Sequence, residues 1–326
     1  MTRPTAKLPL RNARAFVSLV LVLPALSACS VAKMPMLNPV GDVTTTILDL
    51  FKFSTIVMLV IIVPVILGTL WIAWRYRDRP DHQGYDPQFD HSPTIDKFTF
   101  YVPLLTIATL GSLTWVYTHR LDPYRVRAGG STPVPFEIQA VSLDYKWLFI
   151  YPEAGVATVN EMAAPIDRPV TIRITSDPMM TSLFIPSLVS QIYAMTGMET
   201  RANFMAPVTA ELDGANAMYS GPGFSKQRFK VRLLAQPDFG AWLKTIGGDA
   251  SAGTAKREPM LDMARYRTLA ERSEGYPVTY FRAVAPGLFE QVVQQYQPRY
   301  RMNPLLARAE APGATTAAAA ATHRGH

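Results

Sequence analysis

The sequence is poor in the side chains that bind most transition metals. Cys29 is the only cysteine, and residues 120–322 contain no histidine. The five histidines are His82, His91, His119, His323 and His326. Copper and zinc centres need imidazole or thiolate ligands, and Ser-His and Cys-His hydrolases need an imidazole base. The sequence therefore predicts no metal site and no catalytic residue of these classes in that stretch, and the absence of a Cys-x-x-Cys-His motif excludes a covalently attached haem.

Charge is scarce as well. Charged residues make up 17% of the chain and hydrophobic residues 48%. Four cations, Arg3, Lys7, Arg11 and Arg14, lie in the first 28 residues, which have no acidic residue, so removing this segment lowers the formal net charge from +7 to +3. Such a charge gives no reason to expect nucleic acid as a partner. The composition is typical of a soluble domain joined to a few membrane spans.

Residues 1–28 have the organisation of a bacterial lipoprotein signal peptide. A cationic segment is followed by an apolar run, Ala15 to Leu26, that is too short to cross a bilayer, and then by the small-residue site Leu26-Ser27-Ala28-Cys29. This site resembles the lipobox, so we expect Cys29 to be acylated and to become the N-terminus of the mature chain. The alternative is an ordinary signal peptide followed by an incidental buried thiol.

Two uncharged runs, residues 54–74 and 98–118, are long enough to cross a membrane as helices. Pro64 and Pro103 lie inside them and predict kinks and neighbouring helices. A buried soluble hairpin is the alternative, which the uninterrupted lengths disfavour. Because an acylated Cys29 lies outside, residues 29–53 are predicted to be exported, the loop 75–97 to be cytoplasmic, and the chain after residue 119 to be exported again.

Residues 128–236 have the pattern of an all-β domain, with short β-branched and aromatic runs separated by turn residues. Several strands of this kind favour a sandwich or a barrel. The clearest strands are Phe136 to Leu143, Trp147 to Tyr151, Val170 to Thr175, Leu183 to Pro186, Gln191 to Ala194 and Phe229 to Leu234.

The C-terminal part is predicted to be helical up to residue 303. Asp238 to Ile246, Leu261 to Glu274 and Gly287 to Gln295 are the predicted helices of an extension over residues 237–303. The alanine-rich tail, 304–326, is compositionally biased and predicted to be disordered, and its sequence indicates no role.

Several long blocks resemble subunit II of bo-type ubiquinol oxidases, which belong to the haem-copper oxidase superfamily. They are Asp144 to Glu153, Thr158 to Glu161, Phe184-Ile185-Pro186, Gln191 to Met195, Gly197-Met198, Thr200-Arg201 and Tyr219 to Ser225. The resemblance runs from the lipobox to about residue 240 and more loosely to 300. It implies a cupredoxin-like barrel with appended C-terminal helices, carried by a membrane hairpin of two transmembrane helices in the bacterial inner membrane, with the large domain in the periplasm.

The resemblance also implies a function and partners. Such a chain serves a proton-pumping quinol:oxygen oxidoreductase as a non-catalytic subunit, beside a large subunit I with haems and a copper ion, smaller membrane subunits and membrane lipid. In the related cytochrome c oxidases this subunit binds a binuclear copper, but Thr181-Ser182 and the region Ser220 to Arg228 have no histidine or cysteine at the corresponding places. The resemblance therefore implies no cofactor in this chain and quinol as the substrate of the complex. A free-standing cupredoxin-like lipoprotein that acts as an assembly or binding module is the alternative.

Asp96 lies just before the second span and has two interpretations. As a helix cap, Asp96 or Thr94 would accept hydrogen bonds from unpaired backbone N–H groups. The resemblance implies instead that Asp96 serves the mouth of a proton channel, where the family has a glutamate. A boundary carboxylate can exchange protons with the cytoplasm, and both interpretations stay open. For Trp147, which resembles an electron-accepting aromatic segment, packing is the favoured role.

Overall fold

The computed structural model describes residues 34–77, 91–125, 127, 134–248 and 255–297. Two long helices, α1 (Asp42–Arg75) and α2 (Pro93–Arg120), contain the two apolar runs and also Pro64 and Pro103. Both helices are long and apolar enough to cross a membrane, and most of their large apolar side chains are exposed. α1 has 34 residues and is therefore about 51 Å long at 1.5 Å per residue, which exceeds a hydrocarbon core of about 30 Å. Its first turns consequently extend beyond the apolar run.

The rest of the chain forms a cupredoxin-like domain of two packed sheets. Its first ten strands are β1 (Phe136–Leu143), β2 (Lys146–Tyr151), β3 (Val156–Val159), β4 (Glu161–Pro165), β5 (Val170–Ser176), β6 (Thr181–Ile185), β7 (Val189–Ala194), β8 (Thr200–Phe204), β9 (Ala210–Asn216) and β10 (Arg228–Leu234). The six strands that the sequence indicated most clearly are all present. β3, β4, β8 and β9 were not predicted, because they are short or carry polar residues and lack a clear alternation.

The C-terminal extension combines helices with strands. It contains α3 (Gln236–Gly247), β11 (Lys256–Leu261), α4 (Met263–Ala270), β12 (Thr279–Val284) and α5 (Leu288–Gln294). The three helices lie where the sequence indicated helices, but β11 and β12 were missed. β12 pairs antiparallel with β3, and β11 pairs parallel with β12. The extension is thus part of the larger sheet, whose order is β11-β12-β3-β2-β1-β5-β8, while the smaller sheet has the order β4-β10-β9-β6-β7.

Two hydrophobic cores cover both faces of the larger sheet. The first core lies between the two sheets and includes Trp147, Phe149 and Phe229. The second core lies under α4 and α5 and includes Leu148 and Ile150. Because successive residues of β2 point to opposite faces, all six of its side chains are buried. Because both faces of β2 are buried, Lys146–Tyr151 is a nearly continuous apolar run without the alternation of a half-exposed strand.

Candidate functional site

Ser182 and the chain that follows β9 meet at one end of the sandwich. Leu183 of β6 pairs with Asn216 of β9, and the Ser182 backbone N–H donates to Asn216 Oδ1 at 3.1 Å. The Ala217 N–H in turn donates to Ser182 Oγ at 3.1 Å. The structure therefore brings Ser182 and the segment that follows β9 together.

A buried pair of amide side chains fills the space between these segments. Asn216 Nδ2 donates to Gln227 Oε1 at 3.0 Å and to Ser220 Oγ at 2.9 Å. Gln227 Nε2 donates to Ser142 Oγ at 2.8 Å and to the carbonyl oxygens of Leu143 and Lys146. Both amides are buried, and their hydrogen-bonding groups face protein groups. Buried polar groups that are satisfied in this way give a rigid, specific core.

The hairpin between β1 and β2 lies beside these amides. Tyr145 adopts a positive φ of 65°, and its ring packs so closely on Gly223 that a Cβ there would lie 2.6 Å from the ring. Trp147 is fully buried, 5.7 Å from the ring centroid of Phe229. Lys146 Nζ donates to the Glu271 carbonyl oxygen at 2.6 Å and to Ser273 Oγ. Burial lowers the pKa of Lys146, although the negative charges of Asp144 and Glu271 act to raise it. Trp147 is thus part of the packed core between the two sheets.

The C-terminal extension is fastened to this end of the domain through Asp177. The buried carboxylate of Asp177 accepts hydrogen bonds from Tyr266 Oη at 2.7 Å, from Gln295 Nε2 at 3.0 Å and from Tyr296 Oη. Burial and the negative charge of Asp177 raise the pKa of Tyr266, so its hydroxyl remains a donor. No pattern in the sequence marked Asp177, because its three partners lie at least 89 residues further along the chain.

Arg173 on β5 is a second fastening point that sequence reasoning missed. Its guanidinium donates to Glu199 Oε2 at 2.6 Å and to Glu137 and Glu290 at 3.0 Å each. It also lies 4.9 Å from the ring centroid of Phe289. The hydrogen bond to Glu199 is the largest cause that raises the pKa of Arg173. One cation thereby joins β1, β5, α5 and the turn before β8.

Asp96 lies in the first turn of α2. The N-cap is Ser92, and its side chain makes no capping hydrogen bond. Asp96 lies four residues after Ser92, and its carboxylate pairs with His91 Nδ1 at 3.0 Å. Both side chains are well exposed. Both interpretations of Asp96, support of the helix start and proton entry, therefore remain predictions. Cys29, His82, His323 and His326 lie outside the described residues.

The junction between α1 and the sandwich is built around Asp42. Its backbone N–H donates to the Met205 carbonyl oxygen at 3.1 Å, and its Oδ1 accepts from the Met205 N–H at 3.0 Å. Its Oδ2 lies 3.3 Å from Arg127 Nε. Thr44 Oγ1 adds a hydrogen bond to the Ser187 carbonyl oxygen at 2.7 Å. The start of α1 is consequently held by two separate strand ends of the domain.

An apolar groove of about 910 Å³ lies between the two long helices. Its walls run from Phe53 to Ile72 on α1 and from Phe98 to Thr109 on α2. Among the described residues no group of three His, Cys, Asp or Glu side chains comes together as a metal site.

Comparison with known proteins gives several matches. The family described as COX Aromatic Rich Motif matches residues 256–298, which form most of the extension. The chain is 43% identical over 264 residues to the cytochrome bo(3) ubiquinol oxidase subunit 2 of Pseudomonas aeruginosa, over 81% of this chain and 77% of that protein. It is 39% identical to the ubiquinol oxidase subunit 2 of Acetobacter aceti, over 81% and 83% of the two chains. The periplasmic domain of cytochrome oxidase subunit II from Bradyrhizobium japonicum is 19% identical, with a TM-score of 0.33 over 34% of this chain and 91% of that one.

Proposed function

The chain belongs to the ubiquinol oxidase subunit 2 family of the haem-copper oxidases, and from this premise we propose that it is the non-catalytic subunit II of a proton-pumping quinol:oxygen oxidoreductase. The observation that carries the proposal is the 43% identity over most of the chain to a subunit of that name. The partners are a large subunit with haems and a copper ion, and smaller membrane subunits. The alternative, a free-standing lipoprotein, offers no account of this identity.

Electrons enter the complex without a copper centre in this chain. The resemblance relates Ser182 and the region that includes Gln227 to the copper-binding segments, and their polar groups are engaged with Asn216, with Ser142 and with the backbone. Hydroxyl and amide groups are poor ligands for copper compared with imidazole and thiolate. Quinol is therefore oxidised within the membrane, at a site supplied mostly by the large subunit.

The chain lies in the bacterial inner membrane with its β domain in the periplasm and an acylated Cys29. α1 and α2 supply the two crossings, and the long α1 reaches from the membrane to the domain. Acylation is tested with labelled palmitate: Cys29→Ser should lose the label, while α1 and α2 keep the variant in the membrane. Unchanged labelling of the variant would rule out this anchor.

Purification of the complex in mild detergent tests the function. We expect haem absorbance, a co-purifying large subunit, and oxygen consumption that is supported by reduced ubiquinone and not by reduced cytochrome c. Spin-resonance spectra should lack the signal of a binuclear mixed-valence copper. A colourless single chain would reject the oxidase, and a binuclear copper signal with oxidation of cytochrome c would reject quinol as the electron donor.

A further inference from the structure

Three methionines lie close together where β6 begins and β7 ends. The two strands pair antiparallel, and the outermost residues of the pairing are Thr181 and Ala194. Met180 and Met195 are the next residues of the two chains, so the register, continued by one residue, places them opposite each other. The Cβ atoms of residues in such a pair are about 5 Å apart. The two thioethers are therefore neighbours.

A tight turn brings a third methionine, Met198, to the same place. The Met198 N–H donates to the Met195 carbonyl oxygen at 3.3 Å, and Gly197 between them has a φ of 72°. These are features of a type II turn, in which the first and last Cα atoms are less than about 7 Å apart. Because the methionine side chain is long and flexible, the sulfur atoms of Met195 and Met198 can approach one another.

This methionine cluster, Met180, Met195 and Met198, faces away from the domain core. Thr181 and Ala194 are buried, and adjacent residues of an extended chain point to opposite faces, so Met180 and Met195 point outward. The exposed fraction is 38% for Met180 and 45% for Met198, and Met195 is half-buried. An ion in solution can therefore reach the sulfur atoms while the fold stays as it is.

The carboxylates that adjoin the cluster in the sequence are engaged elsewhere. Asp177 accepts hydrogen bonds from the C-terminal extension, and Glu199 pairs with Arg173 and Arg201. Hard cations such as Ca²⁺ and Mg²⁺ need oxygen ligands, whereas thioethers favour copper(I). The cluster thus offers the ligands of a soft, monovalent ion.

From this arrangement we propose that the methionine cluster is a binding site for copper(I). The site differs in kind from the binuclear copper of cytochrome c oxidases, which needs imidazole and thiolate ligands. Thioethers supply neither, so the bound ion takes no part in electron entry. The site depends on the positions of the three methionines alone, and it is therefore independent of the proposed oxidation of quinol.

Anaerobic titration of the purified full chain with copper(I) tests the proposal. The chain carries Cys29→Ser, His323→Ala and His326→Ala throughout, so that neither a thiol nor the imidazoles of the tail bind the ion. A chromophoric chelator competes for copper(I), and X-ray absorption identifies the atoms that surround the bound metal. We expect one copper(I) ion per chain, with sulfur neighbours.

The double variant Met180→Leu/Met198→Leu should lose this binding, because leucine has a similar volume and no sulfur. Met34→Leu/Met260→Leu is the matched control and should bind copper(I) like the unmodified chain. Its two methionines are 49% and 39% exposed and lie before α1 and on β11. Circular dichroism checks that both variants are folded.

Equal binding of copper(I) by the two double variants would overturn the proposal, as would an unmodified chain that leaves all copper(I) on the chelator. A third outcome would also reject it. If Met180→Leu/Met198→Leu keeps its copper(I) but no longer assembles with the large subunit, the cluster is a docking surface and not a metal site.

Discussion

Glu199 lies between two guanidinium groups, and its titration makes a testable contribution to stability. Burial raises the pKa of Glu199, but hydrogen bonds from Arg173 and Arg201 outweigh it, so the pKa lies below its ordinary value of 4.5. Stabilisation by the ionised form is therefore complete above about pH 4.5 and is lost as the pH falls through the lowered pKa. Glu199→Gln should reduce the free energy of unfolding at pH 7 by about 2 kcal/mol, and the difference should shrink below pH 4.5.

Chemical unfolding of the purified full chain between pH 3 and pH 8 measures this difference. Glu211→Gln is the control, because the Glu211 side chain is 80% exposed and lies 3.7 Å from Arg232. An exposed pair of this kind contributes little to stability. A difference for Glu199→Gln that stays constant over the whole pH range would contradict the role of its charge.

Asp96 is the residue at which a proton-entry role can be tested. Asp96→Asn can still form a hydrogen bond with His91 but cannot ionise, so an intact complex should show quinol oxidase turnover reduced several-fold. The matched variant His91→Gln leaves the carboxylate in place and should retain most of the turnover. If Asp96→Asn assembles normally and its turnover is unchanged across the pH range, the carboxylate serves only the start of α2, where a negative charge is favourable.

The residues at the copper-region end were predictable only in part. The absence of histidine and cysteine was visible in the sequence, and the resemblance drew attention to Thr181-Ser182 and to the region Ser220 to Arg228. The sequence did not reveal that Asn216 and Gln227 form a buried pair, because an amide in a turn-rich segment usually faces solvent. The ion pairs of Arg173 could not be predicted either, because its partners Glu137, Glu199 and Glu290 are up to 117 residues away along the chain.

At the level of elements, the hydroxyl of Tyr266 fastens α4 to the loop after β5. Tyr266→Phe removes the 2.7 Å hydrogen bond to Asp177 and leaves a buried carboxylate with fewer donors. We expect a loss of about 1 to 3 kcal/mol in the free energy of unfolding and faster proteolysis within residues 256–298. Tyr193→Phe, on the exposed side of β7, is the control and should change neither measurement. Equal proteolysis in both variants would exclude the fastening role.

Strands were predicted correctly where the local sequence has a clear β pattern. They were missed where pairing with other strands, and not the local sequence, determines the structure. Phe136–Leu143 and Arg228–Leu234 have the expected composition and were recognised. Ala210–Asn216 carries Glu211, Asp213 and Gly214, which disfavour strands, yet β10 and β6 pair with it on both sides. Lys256–Leu261 contains Pro259, which is tolerated because β11 is an edge strand.

For the whole molecule, Asp42 determines how firmly the domain is held on α1. Asp42→Ala removes the acceptor for the Met205 N–H and the ion-pair partner of Arg127. We expect the domain to stay folded, amide hydrogen exchange at Met205 to accelerate, and assembly with the large subunit to decrease, because the domain is then less well oriented. Asp49→Ala removes an exposed carboxylate from the same helix and should have no effect. If amide hydrogen exchange at Met205 is unchanged in Asp42→Ala, Asp42 does not hold the domain on α1.

The pairing of β3 with β12 has a consequence for biosynthesis. Ala157, Thr158 and Val159 obtain their partners from Phe281, Tyr280 and Thr279, which the ribosome adds long after β3 has been made. Until then β3 is an unpaired strand edge, and the outer side chains of Leu148 and Ile150 lack the cover of α4 and α5. Nascent chains in this state are prone to aggregate. This edge therefore stays open until residues 279–281 have been made, and a chain that ends before residue 279 cannot close it.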